Sequence, residues 1–211
     1  MTTIDHPIFV ESIRFIQARL GYTGLDPLQQ QVLERLIHSS GDFDLQSLLR
    51  FSPDACEKGI AAINSGAAIL TDTAMAAAAV SPMAYRTTNS KVRTVLEWAP
   101  ENYVDGNTRT AIGIEHAWKE LCNDLCNAPS PVVLIGSAPT ALEALLDFID
   151  QGAIPPSLII GMPVGFIGVS ESKSRLSQSG LAHILLEGTR GGAGLVAATM
   201  NALLRASTTS S

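Results

Sequence analysis

The first forty positions carry two stretches of apolar residues at helical spacing. Apolar residues at positions 9, 10, 13, 16 and 20 fall on one side of a helix, and Gly21 ends it. Asp26 followed by Pro27 is typical of an N-cap and a first helical turn, so a second helix is predicted to run from there to about Ile37. This helix is expected to present His38 at or just after its end.

Beyond residue 50 the pattern changes to short apolar runs that alternate with helical segments. Ser52 and Pro53 are expected to open the first helix of this part as cap and first-turn residue. The clearest strand runs from Pro131 to Gly136, because it is uninterrupted, rich in β-branched residues and closed by glycine. Further strands are predicted at 67–71, 91–96, 157–161 and 182–187, and helices at 106–126, 138–149, from 170 onward, and 191–204.

Strands separated by helices favour a parallel sheet that is covered on both faces. The predicted fold class is therefore α/β, a three-layer sandwich with a mainly parallel, roughly five-stranded sheet of the flavodoxin-like or Rossmann-like kind. Residues 1–206 are expected to form one domain, and residues 207–211 a flexible polar tail.

Composition narrows the range of functions. The chain has 211 residues, 46% of them hydrophobic, and a formal net charge of −6. The apolar content is ample for a buried core, and the acidic balance argues against a nucleic-acid partner. No signal peptide and no apolar run of membrane-spanning length is recognised, so a cytoplasmic location without membrane association is expected.

Three cysteines are too few for a disulfide scaffold. Cys122 and Cys126 are four residues apart, which suits either a pair of metal-binding thiolates or two small helix residues. We favour small helix residues, because no nearby histidine or second cysteine pair completes a zinc set. No metal and no cofactor are expected.

Four loops are predicted at the carboxyl ends of the strands, where α/β sheets of this kind bind their ligands. They are rich in glycine, proline and hydroxyl side chains and comprise residues 71–73, 136–140, 161–166 and 188–192. Glycine allows close approach of a ligand to the main chain, and helix N-termini offer N–H donors to anions. The pattern predicts a binding rim.

Segments spread over most of the chain carry a more specific signal, namely residues 35–42, 69–72, 136–142, 161–173, 191–194 and 197–203. With them the chain resembles the precorrin-8X methylmutase family of cobalamin biosynthesis. The long, irregular run Pro163-Val164-Gly165-Phe166 to Glu171-Ser172-Lys173 makes chance agreement improbable.

The resemblance implies a flavodoxin-like domain that forms a homodimer with its active site near the subunit interface. It also implies an isomerase that moves a methyl group from carbon 11 to carbon 12 of a corrinoid ring, giving hydrogenobyrinic acid or cobyrinic acid. The shift is intramolecular, of the [1,5]-sigmatropic type, and needs no cofactor. The implied partner is a tetrapyrrole that carries several carboxylates, with or without cobalt.

A methyl shift of this kind needs a rigidly held ring and one group that donates a proton near neutral pH. Histidine fits that need, because its unperturbed pKa is about 6.5. His38 occupies the histidine of the family's Arg-x-x-His motif and is predicted to be the catalytic acid, with the helix C-terminus favouring its imidazolium. His6, His116 and His183 match no catalytic motif and are expected to be structural or surface residues.

The carboxylates of such a ligand call for cations and hydrogen-bond donors. By their match to family segments or their place in the loops, the predicted substrate-binding residues are Ser12, Asp72, Arg109, Ser137, Thr140, Lys173 and Arg190. Several of them keep alternatives. Ser137 and Thr140 are either donors to the ligand or helix caps, and Arg109 is either a carboxylate contact or a solvated helix residue. Asp72 either orients a partner or caps a helix, and Lys173 either binds a carboxylate or pairs with Glu171 to shape its loop.

The chain departs from the family pattern at Ser137, at Ala193 and within residues 74–78, which puts the hydrogen bonds of the rim in doubt. Two other functions therefore stay open. One is a corrinoid-binding carrier without turnover, which would have no need of a proton donor such as His38. The other is a nucleotide-binding α/β enzyme, suggested by the glycines of residues 188–194, although the spacing of a dinucleotide or phosphate loop is missing.

Overall fold

A computed structural model describes residues 6–102, 106–123, 125 and 128–208. Its centre is one six-stranded sheet in the order β1-β6-β5-β4-β2-β3. The strands are β1 Leu49–Phe51, β2 Ile69–Thr71, β3 Val92–Thr94, β4 Val132–Ile135, β5 Leu158–Gly161 and β6 His183–Leu186. All neighbouring pairs are parallel except β1 and β6, which are antiparallel.

Strands β2 to β6 correspond to the five predicted runs, and their order β3-β2-β4-β5-β6 is the flavodoxin-like order 2-1-3-4-5. The predicted fold class is confirmed. The sixth strand, β1, was not predicted, because three residues with Arg50 at their centre give no apolar run. It exists through pairing with β6, in which Leu49 lies opposite Leu186.

Helices cover both faces of the sheet. One layer contains α1 Pro7–Leu20, α2 Pro27–Ser40, α3 Leu45–Leu48, α4 Ala55–Asn64, α5 Ala74–Arg86 and α9 Ala193–Ser207. The other contains α6 Arg109–Asn123, α7 Pro139–Asp150 and α8 Val169–Gln178, with a short 3-10 helix at Val95–Glu97. Within β4, Leu134 packs into the first core and Val133 into the second, so successive side chains of a fully buried strand supply both layers.

The predicted cap of α2 is confirmed. The Asp26 carboxylate accepts the N–H groups of Leu28 and Gln29, and Pro27 begins the helix. The helix ends at Gly41, whose φ of 69° is the left-handed conformation that glycine adopts most readily. His38 therefore lies inside the last turn of α2, and not after it.

The predicted start of one helix was wrong, and one helix was not predicted. α4 begins at Ala55 after Asp54, and not at Ser52 and Pro53; the Ser52 hydroxyl instead accepts the N–H of His183. No helix was predicted for α5, because its run of alanines has no apolar period and contains Pro82.

α9 continues to Ser207, one residue into the predicted tail, and residues 209–211 lie outside the described residues. The boundary between domain and tail stays a prediction. Among the described residues, the helices are too short or too polar to cross a membrane.

Candidate active site

His38 is held by a residue of the neighbouring helix. α1 packs against α2, and the Ser12 hydroxyl lies 2.7 Å from Nδ1 of the His38 ring. The His38 side chain is exposed, and within the described part of the chain its Nε2 atom makes no hydrogen bond. Ser12 therefore orients the ring through one nitrogen and leaves the other available to a ligand. The structure brings these two predicted residues together.

Phe9 packs against His38. Its ring meets the imidazole edge to face, with centroids 4.9 Å apart. The guanidinium carbon of Arg35 lies 4.7 Å from the centre of the same phenyl ring, and that of Arg205 lies 5.0 Å from it. Two cations thus flank one aromatic ring beside the histidine.

Burial, and second to it the positive charge of Arg35, lowers the pKa of His38 below the ordinary 6.5. The sequence had suggested the opposite direction, because a helix C-terminus favours the imidazolium. Because its pKa is lowered below 6.5, His38 is mostly neutral at pH 7 in the free protein.

Arg35 was missed as a site residue, although it stands in the same motif. It precedes His38 by three residues in α2, a spacing that places both on one side of a helix. Its Nε is buried and has no hydrogen-bond partner among the described residues. A half-buried guanidinium of this kind is suited to a carboxylate ligand.

Asp72 lies at the carboxyl end of β2, where the order of the sheet reverses between β2 and β4. Its Oδ2 accepts the main-chain N–H groups of Gly136, Ser137 and Ala138 at 3.1, 2.6 and 2.9 Å. Burial raises the pKa of Asp72, and these three N–H groups oppose that rise. Of the two roles left open, the geometry favours the cap, but the carboxylate caps the turn that leads into α7 and not the first turn of the helix itself. The Ser137 side chain itself is exposed at the rim.

Lys173 is 2% exposed and points into the β6–α9 loop. Its Nζ donates to the carbonyl oxygens of Gly188 and Arg190 at 2.8 and 2.7 Å. Burial lowers the pKa of Lys173 to about 8. The geometry favours a third role beside the two predicted ones, namely shaping of the β6–α9 loop through main-chain carbonyls; no ion pair with Glu171 is found among the described residues.

Arg190 turns towards α2. Its guanidinium forms an ion pair with Asp42 at 2.9 Å and a longer one with Asp44 at 3.5 Å. Asp42 follows the Gly41 cap of the helix that carries His38. Arg190 therefore connects the glycine-rich rim to the His38 segment.

Close main-chain contacts join the rim loops. A Cβ on Gly136 would lie 2.8 Å from the nitrogen of Ala193, and one on Gly191 would collide with the main chain of Met162. Gly192 also donates its N–H to the carbonyl of Met162 at 2.9 Å. Gly136 and Gly191 therefore serve the packing of one loop on another, and this packing accounts for Gly191 in the string of residues 188–194 without a nucleotide.

Arg109 and Thr140 belong to the other helix layer. Arg109 begins α6, and its Nε donates to the carbonyl of Pro100 at 2.8 Å. The Thr140 hydroxyl, in the first turn of α7, lies 2.8 Å from that of Thr108. The structure brings Arg109 and Thr140 near each other through Thr108, but it places them across the sheet from the helices of Ser12 and His38.

Several large apolar side chains face outward beside the rim. Phe166 and Ile167, in the loop after β5, are each 88% exposed, and Met75, at the start of α5, is 71% exposed. Adjacent apolar surface of this kind is typical of a ligand-binding or protein-binding region.

The cysteines give no sign of a metal site. Burial raises the pKa of the Cys56 thiol to about 12 and that of Cys122 to about 11, so both are protonated at neutral pH. Cys126 lies outside the described residues. Among the residues that are described, no cluster of three or more His, Cys, Asp or Glu could hold a metal ion.

Comparison with known proteins gives one consistent result. The family model for precorrin-8X methylmutase matches residues 7–206. The chain is 35% identical to a cobalt-precorrin-8 methylmutase of Synechocystis, over 97% of each chain. It is 39% identical to a precorrin-8X methylmutase of Pseudomonas aeruginosa, over 93% of each chain. The crystal structure of a precorrin-8x methyl mutase from Thermus thermophilus superposes with a TM-score of 0.85 at 36% identity, covering 97% of this chain and 99% of the other.

Proposed function

The chain belongs to the precorrin-8X methylmutase family, and from that premise we propose that His38 is the group that gives the proton during its reaction. The enzyme is an isomerase of cobalamin biosynthesis that moves a methyl group from carbon 11 to carbon 12 of the corrinoid ring. The observation that carries the assignment of His38 is its hydrogen bond to Ser12, which holds Nδ1 and leaves Nε2 available to a ligand.

The reaction is balanced without any co-reactant. The bond from the methyl group to carbon 11 breaks, the bond to carbon 12 forms, and the proton that polarises the ring is returned to His38 afterwards. As imidazolium, His38 donates Nδ1–H to the Ser12 oxygen and presents Nε2–H to the substrate. Ser12 thereby reduces the number of ring orientations that can give the proton.

The proton must come from an imidazolium, yet Arg35 and burial keep the free histidine neutral. We propose that a substrate carboxylate resolves this conflict by pairing with Arg35. Such a pair cancels the positive charge that lowers the pKa of His38, and the carboxylate itself favours the charged imidazole. Binding of the polyanionic substrate is then coupled to protonation of His38.

The other predicted contacts stay predictions. Arg109, Thr140 and the exposed Ser137 hydroxyl are proposed to bind the ring or its carboxylates. Direct contact of the substrate with Asp72, Lys173 or Arg190 has less support. Asp72 and Lys173 are buried, and the guanidinium of Arg190 is paired with Asp42 and Asp44.

We propose a homodimer as the assembly. Support comes from the exposed apolar side chains of Met75, Phe166 and Ile167, which a second subunit would cover. Light scattering during gel filtration tests it: a mass near 45 kDa, about twice the 22.3 kDa chain, is expected. A monomer at micromolar concentration would contradict it. The cytoplasmic location also stays a prediction.

The decisive experiment separates the enzyme from a carrier. Purified protein is incubated with precorrin-8X, and the absorbance is followed as the chromophore becomes more conjugated. Multiple turnovers are expected. A coloured complex without conversion would establish the carrier, and calorimetric binding of ADP or NAD would favour the nucleotide-binding alternative.

A further inference from the structure

We propose that Lys173 is a positioning residue for the methyl shift, which locks the β6–α9 loop and, through Arg190, holds the end of α2 that carries His38. The proposal rests on the role of His38 proposed above. It differs from a role in substrate binding, because it requires that Lys173 never touches the ligand.

The surroundings of Lys173 support a role inside the protein. Its ammonium group is enclosed, and both of its acceptors among the described residues, the carbonyls of Gly188 and Arg190, belong to one loop. Among the described residues it forms no ion pair with a carboxylate. A buried charge without a counter-ion is unfavourable for folding. What the cation provides instead is two charge-assisted bonds that fix the path of residues 188–190.

Arg190 links the β6–α9 loop to the end of α2, because its main chain contacts Lys173 and its side chain contacts Asp42. Its carbonyl oxygen accepts a hydrogen bond from Lys173, and its guanidinium holds the Asp42 carboxylate at 2.9 Å. Asp42 stands four residues after His38, and its Oδ1 also accepts the N–H of Asp44. The ion pair therefore fixes the turn in which α2 ends.

The loop is stiff between these contacts. Gly192 donates its N–H to Met162, and Thr189 accepts the N–H of Gly165 at 3.2 Å. A Cβ on Gly191 would collide with the main chain of Met162, so the loop packs directly on the segment after β5. Because Arg190 lies between the Lys173 contacts and Gly191, loss of the Lys173 bonds is expected to loosen Arg190 and, with it, the Asp42 ion pair.

The test removes the ammonium group and keeps the stem. For Lys173→Met, we expect kcat to fall about tenfold and KM to change less than about threefold, because small misplacements of a catalytic group affect the chemical step. The matched control is Lys58→Met, since Lys58 also donates to a main-chain carbonyl, that of Pro53, but on the exposed surface. The control is expected to behave as the wild type.

Hydrogen exchange gives a readout that is independent of turnover. In Lys173→Met, the amides of Gly165 and Gly192 and those of residues 42–44 should exchange faster, while the strands β4 and β5 remain protected. Unchanged exchange at residues 42–44 would overturn the link to α2. This result stands even if the wild type fails to convert precorrin-8X, an outcome that would refute the proposed function instead.

Double substitutions test whether Lys173, Arg190 and Asp42 affect His38 through the same chain of contacts. Arg190→Gln keeps the main-chain acceptor and removes the ion pairs. Combined with Lys173→Met, it should reduce kcat no more than the stronger single substitution does. Losses that multiply, or an Arg190→Gln variant with normal kcat, would refute the proposal. If Lys173→Met does not fold, the cycle of Asp42→Asn and Arg190→Gln tests the second half of the link, from Arg190 to the end of α2, and losses of kcat that multiply there would refute the proposal.

Discussion

Ser12 and His38 lie 26 residues apart in the chain and are joined by a hydrogen bond of 2.7 Å between the Ser12 hydroxyl and Nδ1 of the imidazole. This bond ties α1 to the last turn of α2. It determines which ring nitrogen faces outward, and so it determines which nitrogen can exchange a proton with a ligand.

Ser12→Ala is expected to reduce kcat by about 10- to 100-fold, because the imidazole loses the contact that selects its orientation. The fold should survive, since the side chain lies on the partly exposed side of α1. Steady-state turnover of precorrin-8X measures the effect. Ser177→Ala is the control, because that hydroxyl bonds only to the main chain of its own helix. Normal turnover of Ser12→Ala would remove the orienting role.

His38→Ala is expected to reduce turnover by about 10²- to 10⁴-fold, the usual contribution of a general acid. Binding of the product, hydrogenobyrinic acid, should stay within about threefold, because the cations and the rim that bind it remain. Absorbance titration measures binding and turnover on the same sample. His116→Ala, which removes an exposed histidine of α6, should leave both unchanged. Near-normal turnover of His38→Ala would show that another group is the acid.

The sequence predicted the sheet well, because buried parallel strands are continuous apolar runs that need no context to be recognised. β1 could not be predicted in this way, since Leu49–Phe51 is a strand only by virtue of β6 beside it. The helix α5 was not predicted from the sequence for a related reason. Its alanines have no strong apolar period, and the helix forms by packing against α9 and β3.

Some residues of the candidate site could be predicted from local sequence, and others depend on contacts made only in the folded protein. His38 and Ser12 were predicted through motif resemblance, which needs only local sequence. The contacts of Asp72 are made 64 to 66 residues further along the chain, and those of Lys173 15 to 17 residues away, so their acceptors and donors are visible only once the loops are folded. Arg35 is intermediate, because its helical spacing from His38 was readable but its position over Phe9 was not.

Arg35→Met is expected to raise the pKa of His38, because it removes the charge that, after burial, lowers that pKa. NMR titration of the His38 ring protons in the free protein measures the shift. Lys119→Met is the matched control, since it removes a positive charge from the opposite helix layer. Arg35→Met should also weaken product binding by about tenfold, the loss expected of one charge-assisted contact. An unchanged His38 pKa would show that Arg35 does not act on it.

Asp72→Ala is expected to reduce the free energy of unfolding by about 3 kcal/mol, since three main-chain N–H groups of the turn before α7, one buried and two partly buried, lose their acceptor. Asp72→Asn should be milder, because its amide oxygen can still accept one or more of these bonds. Urea denaturation at pH 7 measures both. Equal stability of Asp72→Ala and the wild type would contradict the capping role.

The pH dependence of stability should reveal His183, which is buried and whose Nδ1 lies 2.9 Å from the carbonyl of Leu181. Burial lowers its pKa below 6.5, more than the carbonyl contact raises it. The unfolded chain therefore binds more protons than the folded protein between the lowered pKa and 6.5, so the free energy of unfolding falls as the pH drops through that window. Urea denaturation at pH 7.5 and 5.5 should show the decrease, and His183→Gln should make it smaller. A decrease of the same size in His183→Gln would assign it to other groups, of which His38 has a pKa lowered in the same direction.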